Sequence, residues 1–180
     1  MKIKICVLLI LLSASAGVHA QENYPQPVEI GEPLPNSTVL PYYKQPFVIL
    51  DFWGTWCKSC IAPFMKLDSL QQQYADSLQI VLLNTKPLSG DSPEKARKFL
   101  QEFKAKHPDF DLPLLIDTSW AWRYAFPVRY VPHYVWLDRN RCVIALTGSD
   151  EVNANTIEGL FEGRLPHPMK LDRKNFSPKH

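Results

Sequence analysis

A strand pattern runs directly into a helix pattern in the segment Phe47-Val-Ile-Leu-Asp-Phe-Trp-Gly-Thr-Trp-Cys-Lys-Ser-Cys60. Its first seven residues are almost all apolar and rich in strand formers, which predicts a central strand buried on both faces. Gly54 and Thr55 interrupt the apolar run, and a helix is predicted to begin close to Cys57. Two cysteines therefore stand where a buried strand ends and a helix starts.

The remaining chain alternates strand and helix patterns around this segment. Ser92 followed by Pro93 is typical of a helix start, because Ser caps the first turn and Pro fits the first helical position. Strands are predicted over 78–84, 112–116, 133–138 and 141–147, and helices over 92–107, 120–126 and 151–162. This order predicts an α/β fold in which a mixed central sheet is flanked by helices on both faces.

Residues 1–20 have the pattern of a cleaved signal peptide. Lys2 and Lys4 precede the apolar run 5–12, and Val18-His19-Ala20 resembles a cleavage site. The run is too short to span a bilayer, which needs about 20 residues. We therefore expect an exported protein, periplasmic or otherwise extracytoplasmic, with an uncleaved anchor as the alternative.

The mature chain is expected to hold one domain between two less regular ends. A lead-in over 21–46 contains six prolines, which excludes a helix there. The domain is predicted over 28–162, and the tail 163–180 is expected to be poorly ordered.

Composition argues against nucleic acid as a partner. The chain is 46% apolar and 21% charged, the mix of a soluble globular protein. Removing residues 1–20 takes away two Lys and no acid, which leaves 18 basic against 18 acidic residues. No excess positive charge remains to attract nucleic acid or an anionic membrane.

Cys57 and Cys60 have the spacing of a reactive pair. Unpaired N–H groups at a helix start stabilise a thiolate and lower the pKa of Cys57. The i, i+3 spacing places both sulfurs on one side of a helical turn, where a disulfide can close. We expect Cys57 to face solvent and attack a substrate disulfide, and the shielded Cys60 to attack the resulting mixed disulfide and release the reduced product.

Structural and metal roles for the pair fit less well. So tight a ring constrains little of the unfolded chain, and Cys142 leaves an odd cysteine count after signal removal. Zinc needs four ligands and no second Cys-x-x-Cys is present, whereas Cu(I) could use two thiolates. No metal and no cofactor beyond the redox-active disulfide are expected.

The segment from Asp51 to Cys60 resembles the active site of thioredoxins, which runs from a strand into Trp-Cys-x-x-Cys. The export signal, the lead-in Glu29-Ile-Gly-Glu-Pro-Leu-Pro35 and an inserted helix-strand segment between Asn84 and Leu112 are similar to the TlpA/ResA branch. This resemblance implies a thioredoxin-like fold over 28–162. It also implies a thiol–disulfide oxidoreductase that reduces disulfide-containing proteins, draws electrons from a membrane-linked donor and works as a monomer.

The resemblance also implies roles for individual residues. Pro132 takes the position of a cis-proline that opens a strand facing the cysteines, with the Val131 backbone and Trp56 contacting substrate; an ordinary trans Pro at a strand edge is the alternative. Asp51 takes the position of a buried acid that exchanges protons with Cys60, since burial raises a carboxyl pKa. Alternatively, Asp51 is hydrogen-bonded to nearby backbone.

Several residues depart from the thioredoxin pattern. Lys58 and Ser59 replace Gly-Pro between the cysteines and are expected to favour the thiolate and a less reducing couple. Pro63 lies two residues before the position of the usual helix-bending Pro, which is Met65 here, and is expected to bend the helix instead. His133 replaces the usual Thr, either tuning the pair or serving as a plain strand residue. Cys142 is expected to be a small buried hydrophobe.

Other functions fit the sequence less well. A DsbA-like oxidant would carry a much larger helical insertion than 85–111, and a peroxiredoxin would carry Pro-x-x-x-Thr-x-x-Cys. A copper chaperone or a redox-sensitive binding module remains as a non-enzymatic alternative.

Overall fold

The computed structural model describes residues 27–36 and 38–168. The signal peptide predicted for 1–20, the start of the lead-in and the tail beyond residue 168 lie outside the described residues.

Within the described residues, a mixed five-stranded sheet has the order β3-β2-β1-β4-β5. Parallel pairing joins β1 to β2 and β2 to β3, whereas β4 is antiparallel to both β1 and β5. The strands are β1 (Phe47–Phe52), β2 (Leu78–Thr85), β3 (Leu114–Asp117), β4 (His133–Leu137) and β5 (Val143–Thr147). The predicted central position of the first apolar run is confirmed.

Helices cover both faces of this sheet. They are α1 (Lys58–Ile61), α2 (Phe64–Gln73), α3 (Lys86–Ser89), α4 (Pro93–Lys106), α5 (Ala121–Ala125) and α6 (Ala154–Phe161). The core on one face includes side chains of α2, α4 and α6, and the core on the other includes side chains of α5 and the lead-in. The segment between Asn84 and Leu112 contains α3 and α4. No helix of the described residues is both long and apolar enough to cross a membrane.

Two local predictions about helix boundaries are confirmed. The Ser92 hydroxyl accepts the Lys95 N–H at 3.2 Å and caps α4, with Pro93 as its first residue. The helix after Cys57 is interrupted at Pro63, which lacks an N–H and therefore cannot continue the ladder from α1 into α2.

Alternation along β1 sorts its side chains between the two core layers. Val48, Leu50 and Phe52 point into the layer containing α5. Ile49 and Trp53 point into the opposite layer, which also contains Cys57 and Cys60. The acid at position 51 has the parity of this second layer.

The lead-in pairs with the outer edge of the sheet at the start of β5. The Gly31 N–H donates to the Val143 carbonyl at 2.7 Å, and the Val143 N–H donates to the Glu32 carbonyl at 2.8 Å. Pro33 forms an isolated bridge with Cys142, just before β5. Cys142 is half-buried at this sheet edge, so the expectation that it is a buried strand residue is wrong.

Candidate active site

The candidate site lies at one edge of the sheet, where three chain segments meet. The parallel strands β1 and β2 end at this edge, and the antiparallel β4 begins there. Cys57 follows β1, and the Val131–Pro132 peptide immediately precedes β4. The topology therefore brings together residues that are more than 70 positions apart in the sequence.

Cys57 is the N-cap of α1. Its Sγ accepts the Cys60 N–H at 3.2 Å, so a backbone donor points at the sulfur. Cys57 and Cys60 form a disulfide with Cα atoms 5.3 Å apart. The structure therefore describes the oxidised pair, and the same N–H would stabilise a Cys57 thiolate after reduction.

The expectation that Cys57 faces solvent is wrong for this oxidised form. Cys57 is 4% exposed and Cys60 is fully buried, so the predicted order of exposure holds but both sulfurs lie inside. The reason is tertiary, because the carbonyl oxygen of Val131 lies 3.8 Å from the Cys57 Sγ. Ser59 Oγ lies 3.4 Å from the same sulfur.

The Val131–Pro132 peptide bond is cis, as the resemblance implied. Both residues are half-buried, which leaves part of this segment accessible beside the disulfide. Their contact with substrate stays a prediction.

Trp56 and Lys58 flank the cysteines on the surface. Trp56 is 58% exposed, yet its indole N–H donates to the Ser89 carbonyl at 2.6 Å, which fixes the ring orientation. Lys58 is exposed, as is Ser59. The substrate-binding role of Trp56 and the redox-tuning roles of Lys58 and Ser59 stay predictions.

Asp51 is fully buried, on the side of β1 that faces the core layer containing the cysteine pair. Neither carboxyl oxygen has a hydrogen-bond partner among the described residues, so the alternative of an acid bonded to nearby backbone is excluded there. Burial raises the pKa of this carboxyl well above its ordinary value. A carboxylate with a raised pKa binds a proton more readily than a free one, which is what accepting the Cys60 proton requires.

We expect the stability of the wild-type protein to fall relative to Asp51→Asn as pH rises above about 4. The folded state keeps the Asp51 proton that the unfolded state releases, so each pH unit up to the folded pKa costs about 1.4 kcal/mol. Above the folded pKa the difference becomes constant. Urea unfolding across a pH series measures this, with Asp76→Asn as a surface control. If the stability difference between the wild-type and Asp51→Asn proteins does not change with pH, the raised pKa of Asp51 is contradicted.

His133 lies on the opposite side of β4 from the cysteines. It is fully buried and makes an edge-to-face contact with Phe52, at 5.9 Å between ring centroids. Burial lowers its pKa to about 4, so the imidazole is neutral at neutral pH. Its placement fits a core residue of the other layer rather than direct tuning of the pair.

Sequence reasoning missed Asp91, which anchors the loop before Cys57. Its carboxylate accepts the Thr55 N–H and the Thr55 hydroxyl, each at 2.7 Å, and the Asn84 amide at 3.1 Å. Lys95 forms an ion pair with it at 2.7 Å. Burial alone would raise the pKa of Asp91, but the bonds from Lys95, Thr55 and Asn84 outweigh burial and lower it. Only the i, i+4 spacing to Lys95 signals this role in the sequence.

Comparison with known proteins identifies relatives of the chain. No family model matches it. The thioredoxin-like protein YneN of Bacillus subtilis is 30% identical over 125 residues, which cover 63% of this chain and 70% of YneN. The thiol-disulfide oxidoreductase ResA of Bacillus cereus is 26% identical over 151 residues, which cover 77% of this chain and 82% of ResA.

Solved structures share the fold at lower identity. The exposed lipoprotein thioredoxin Etrx1 of Streptococcus pneumoniae matches with a TM-score of 0.52 and 20% identity, over 67% of this chain and 87% of Etrx1. A putative thioredoxin from Neisseria meningitidis matches with a TM-score of 0.52 and 15% identity, over 66% of this chain and 75% of that chain.

The match to YneN covers more than two thirds of that protein and shows the family of the chain. The chain belongs to the thioredoxin-like family, among the relatives of the ResA thiol–disulfide oxidoreductases.

Proposed function

We propose that this protein reduces disulfides of other proteins outside the cytoplasm, with Cys57 as the nucleophile and Cys60 as the resolving thiol. The observation that carries the proposal is the geometry of Cys57. Its sulfur accepts a backbone N–H at the start of α1 and lies beside the Val131 carbonyl, whereas Cys60 is fully buried.

The first step begins from the reduced pair. The Cys57 thiolate, stabilised by the Cys60 N–H, attacks one sulfur of a substrate disulfide. A bond forms between Cys57 and that sulfur, the substrate S–S bond breaks, and the second substrate sulfur leaves with the electron pair and takes up a proton. The accessible backbone at Val131 holds the extended substrate segment, and Trp56 supplies an aromatic surface next to it.

In the second step Cys60 releases the product. Cys60 passes its proton to the Asp51 carboxylate, and the resulting thiolate attacks the Cys57 Sγ. The Cys57–Cys60 bond forms while the bond from Cys57 to substrate breaks, and the substrate sulfur leaves as a thiolate that becomes protonated. The substrate has gained two electrons and two protons, and the pair has become the disulfide of the structure.

A further turnover requires an external source of two electrons. We propose a membrane-linked dithiol donor that attacks the Cys57–Cys60 disulfide by the same exchange chemistry, with the protein acting as a monomer. The signal-like pattern of residues 1–20 and the kinship with ResA support an extracytoplasmic location. Cell fractionation and an amino-terminal sequence beginning at Gln21 would test export.

The direction of electron flow is tested by the reduction potential of the Cys57–Cys60 couple. We expect equilibration with glutathione to give a value closer to about −270 mV, typical of thioredoxin, than to about −120 mV, typical of DsbA. Cys60→Ser, which cannot form the couple, provides the control. A value near −120 mV would reverse the proposed direction and make the protein an oxidant.

A further inference from the structure

Tyr134 lies directly opposite Asp51 in the sheet. The antiparallel register of β1 and β4 pairs these two residues, so their side chains leave the sheet on the same face. Cβ atoms of such a pair are about 4.5–5.5 Å apart. Tyr134 belongs to the core layer that contains Cys57 and Cys60, so the phenol lies in the layer beneath the disulfide together with the acid.

Both side chains are buried with polar atoms unpaired. Tyr134 and Asp51 are each fully buried, and neither the Tyr134 hydroxyl nor either Asp51 oxygen has a hydrogen-bond partner among the described residues. Buried polar atoms are normally paired, because an unpaired one costs about 1–3 kcal/mol. Two such groups in opposite register positions need an explanation.

The elements packed against Asp51 offer few other hydrogen-bond donors to its carboxylate. Opposite Asp51, β2 presents the apolar Leu82, and α1 contributes Cys57 and Cys60. Opposite Tyr134, β5 presents Thr147, whose hydroxyl already accepts the Trp136 indole N–H at 2.9 Å.

One further donor on this face is the indole N–H of Trp53, which also lacks a partner among the described residues. Trp53 follows Asp51 by two positions along the same side of the chain, about 6.6 Å away at 3.3 Å per residue. Tyr134 stands directly opposite the acid in the neighbouring strand, so it is the donor that the register favours. Burial, followed by the negative charge of Asp51, raises the pKa of Tyr134, so the phenol keeps its proton.

We propose that Tyr134 is a positioning residue for the proton transfer between Cys60 and Asp51. Its O–H donates to the Asp51 carboxylate whenever Asp51 is ionised, and it releases the carboxyl group when Asp51 takes the Cys60 proton. The inference rests on the proposed acid–base role of Asp51 and extends it.

The direction in which Tyr134 shifts the Asp51 pKa depends on which protonation state of Asp51 the hydrogen bond stabilises. A donor to the ionised carboxylate lowers the pKa of that acid. Tyr134 therefore opposes the burial that raises the Asp51 pKa, and more of the base is present at neutral pH. The proton count is unchanged, because Cys60 loses one proton, Asp51 gains it, and Tyr134 keeps its own throughout.

Tyr134→Phe tests this proposal in a stopped-flow reaction with 5,5′-dithiobis(2-nitrobenzoate). Attack by Cys57 releases one thionitrobenzoate, and attack by Cys60 on the adduct releases the second, so the two steps are seen separately. We expect the pH midpoint of the second step to rise by about one unit and its rate at neutral pH to fall about tenfold. The first step should be unchanged, and Tyr74→Phe, which removes a phenol hydroxyl elsewhere, should alter neither step.

The Asp51→Asn background separates this inference from the proposed function. There, Tyr134→Phe should leave the second step unaltered, since no carboxylate remains to be stabilised. If Asp51→Asn slows the second step but Tyr134→Phe does not shift its midpoint in the wild-type background, the role of Tyr134 is overturned. If Asp51→Asn itself leaves the second step unchanged, the acid–base role of Asp51 fails first.

Tyr134→Phe could also alter the kinetics by loosening the packing of the core. A direct NMR titration of Asp51 distinguishes this from a change in its pKa. The side-chain ¹³C resonance of Asp51 reports its pKa in both the oxidised and reduced protein. We expect Tyr134→Phe to raise that pKa in the reduced form, where the carboxylate acts as the base. An unchanged Asp51 titration in a folded Tyr134→Phe protein would contradict the proposal.

Discussion

Replacing Cys57 by serine is expected to lower disulfide reduction by at least about a thousandfold, because a hydroxyl cannot supply the thiolate that attacks a disulfide. Cys60→Ser should fail differently. Its Cys57 still attacks, but nothing expels the substrate, so a covalent mixed disulfide accumulates. Insulin reduction measures the first effect, and mass spectrometry of the protein after mixing with a disulfide substrate detects the second.

Cys142→Ser provides the matched control for both variants. The third cysteine is half-buried at the β5 edge and outside the site, so its loss should leave turnover unchanged. If instead Cys60→Ser lost its attack on disulfides and Cys57→Ser formed the trapped adduct, the assigned roles of the two sulfurs would be exchanged.

Phe64→Ala is expected to cost about 3–5 kcal/mol of folding free energy, as truncation of a buried Phe usually does. Phe64 is fully buried at the start of α2 and contacts three aromatic rings. Ring centroids of Trp53, Phe103 and Phe110 lie 5.4, 5.5 and 5.8 Å from its own. Since domains of this kind are stable by about 5–15 kcal/mol, the variant would lose a large share of the total.

Met65→Ala is the matched control, one residue further along the same helix. Met65 is 39% exposed, and its truncation should change stability by about 0.5 kcal/mol or less. Guanidinium chloride unfolding of the oxidised proteins measures both changes. Equal losses in the two variants would mean that the aromatic cluster does not anchor α2 to the sheet.

The overall fold could be predicted because its strongest signals are local. The run from Phe47 to Trp53 is apolar apart from Asp51, as expected of a strand with helices on both faces. Ser92 and Pro93 fix the start of α4 through capping chemistry that needs no tertiary context. Pro63 interrupts the helix by lacking a donor, whatever the surroundings.

Features of the site that depend on tertiary contacts could not be predicted from single segments. The burial of Cys57 arises from Val131, which is 74 positions later in the chain. The anchoring of Thr55 by Asp91 arises from a loop 36 positions away. Half-burial of Cys142 reflects its bridge to Pro33 in the lead-in, which strand periodicity alone does not reveal. The pairing of Asp51 with Tyr134 requires the register of β1 and β4.

The hydrogen bonds from the lead-in to Val143 have a consequence for how this protein behaves in solution. An edge strand with unpaired backbone N–H and C=O groups can pair with strands of other molecules. Such pairing is how many sheet proteins begin to form fibrils. Both backbone groups of Val143 are already occupied by the segment Gly31–Glu32. At the far edge, the four-residue length of β3 offers little to extend. The lead-in thereby closes the start of β5 to the addition of a further strand, and shortening the amino-terminal portion beyond Gly31 would expose the backbone groups of Val143.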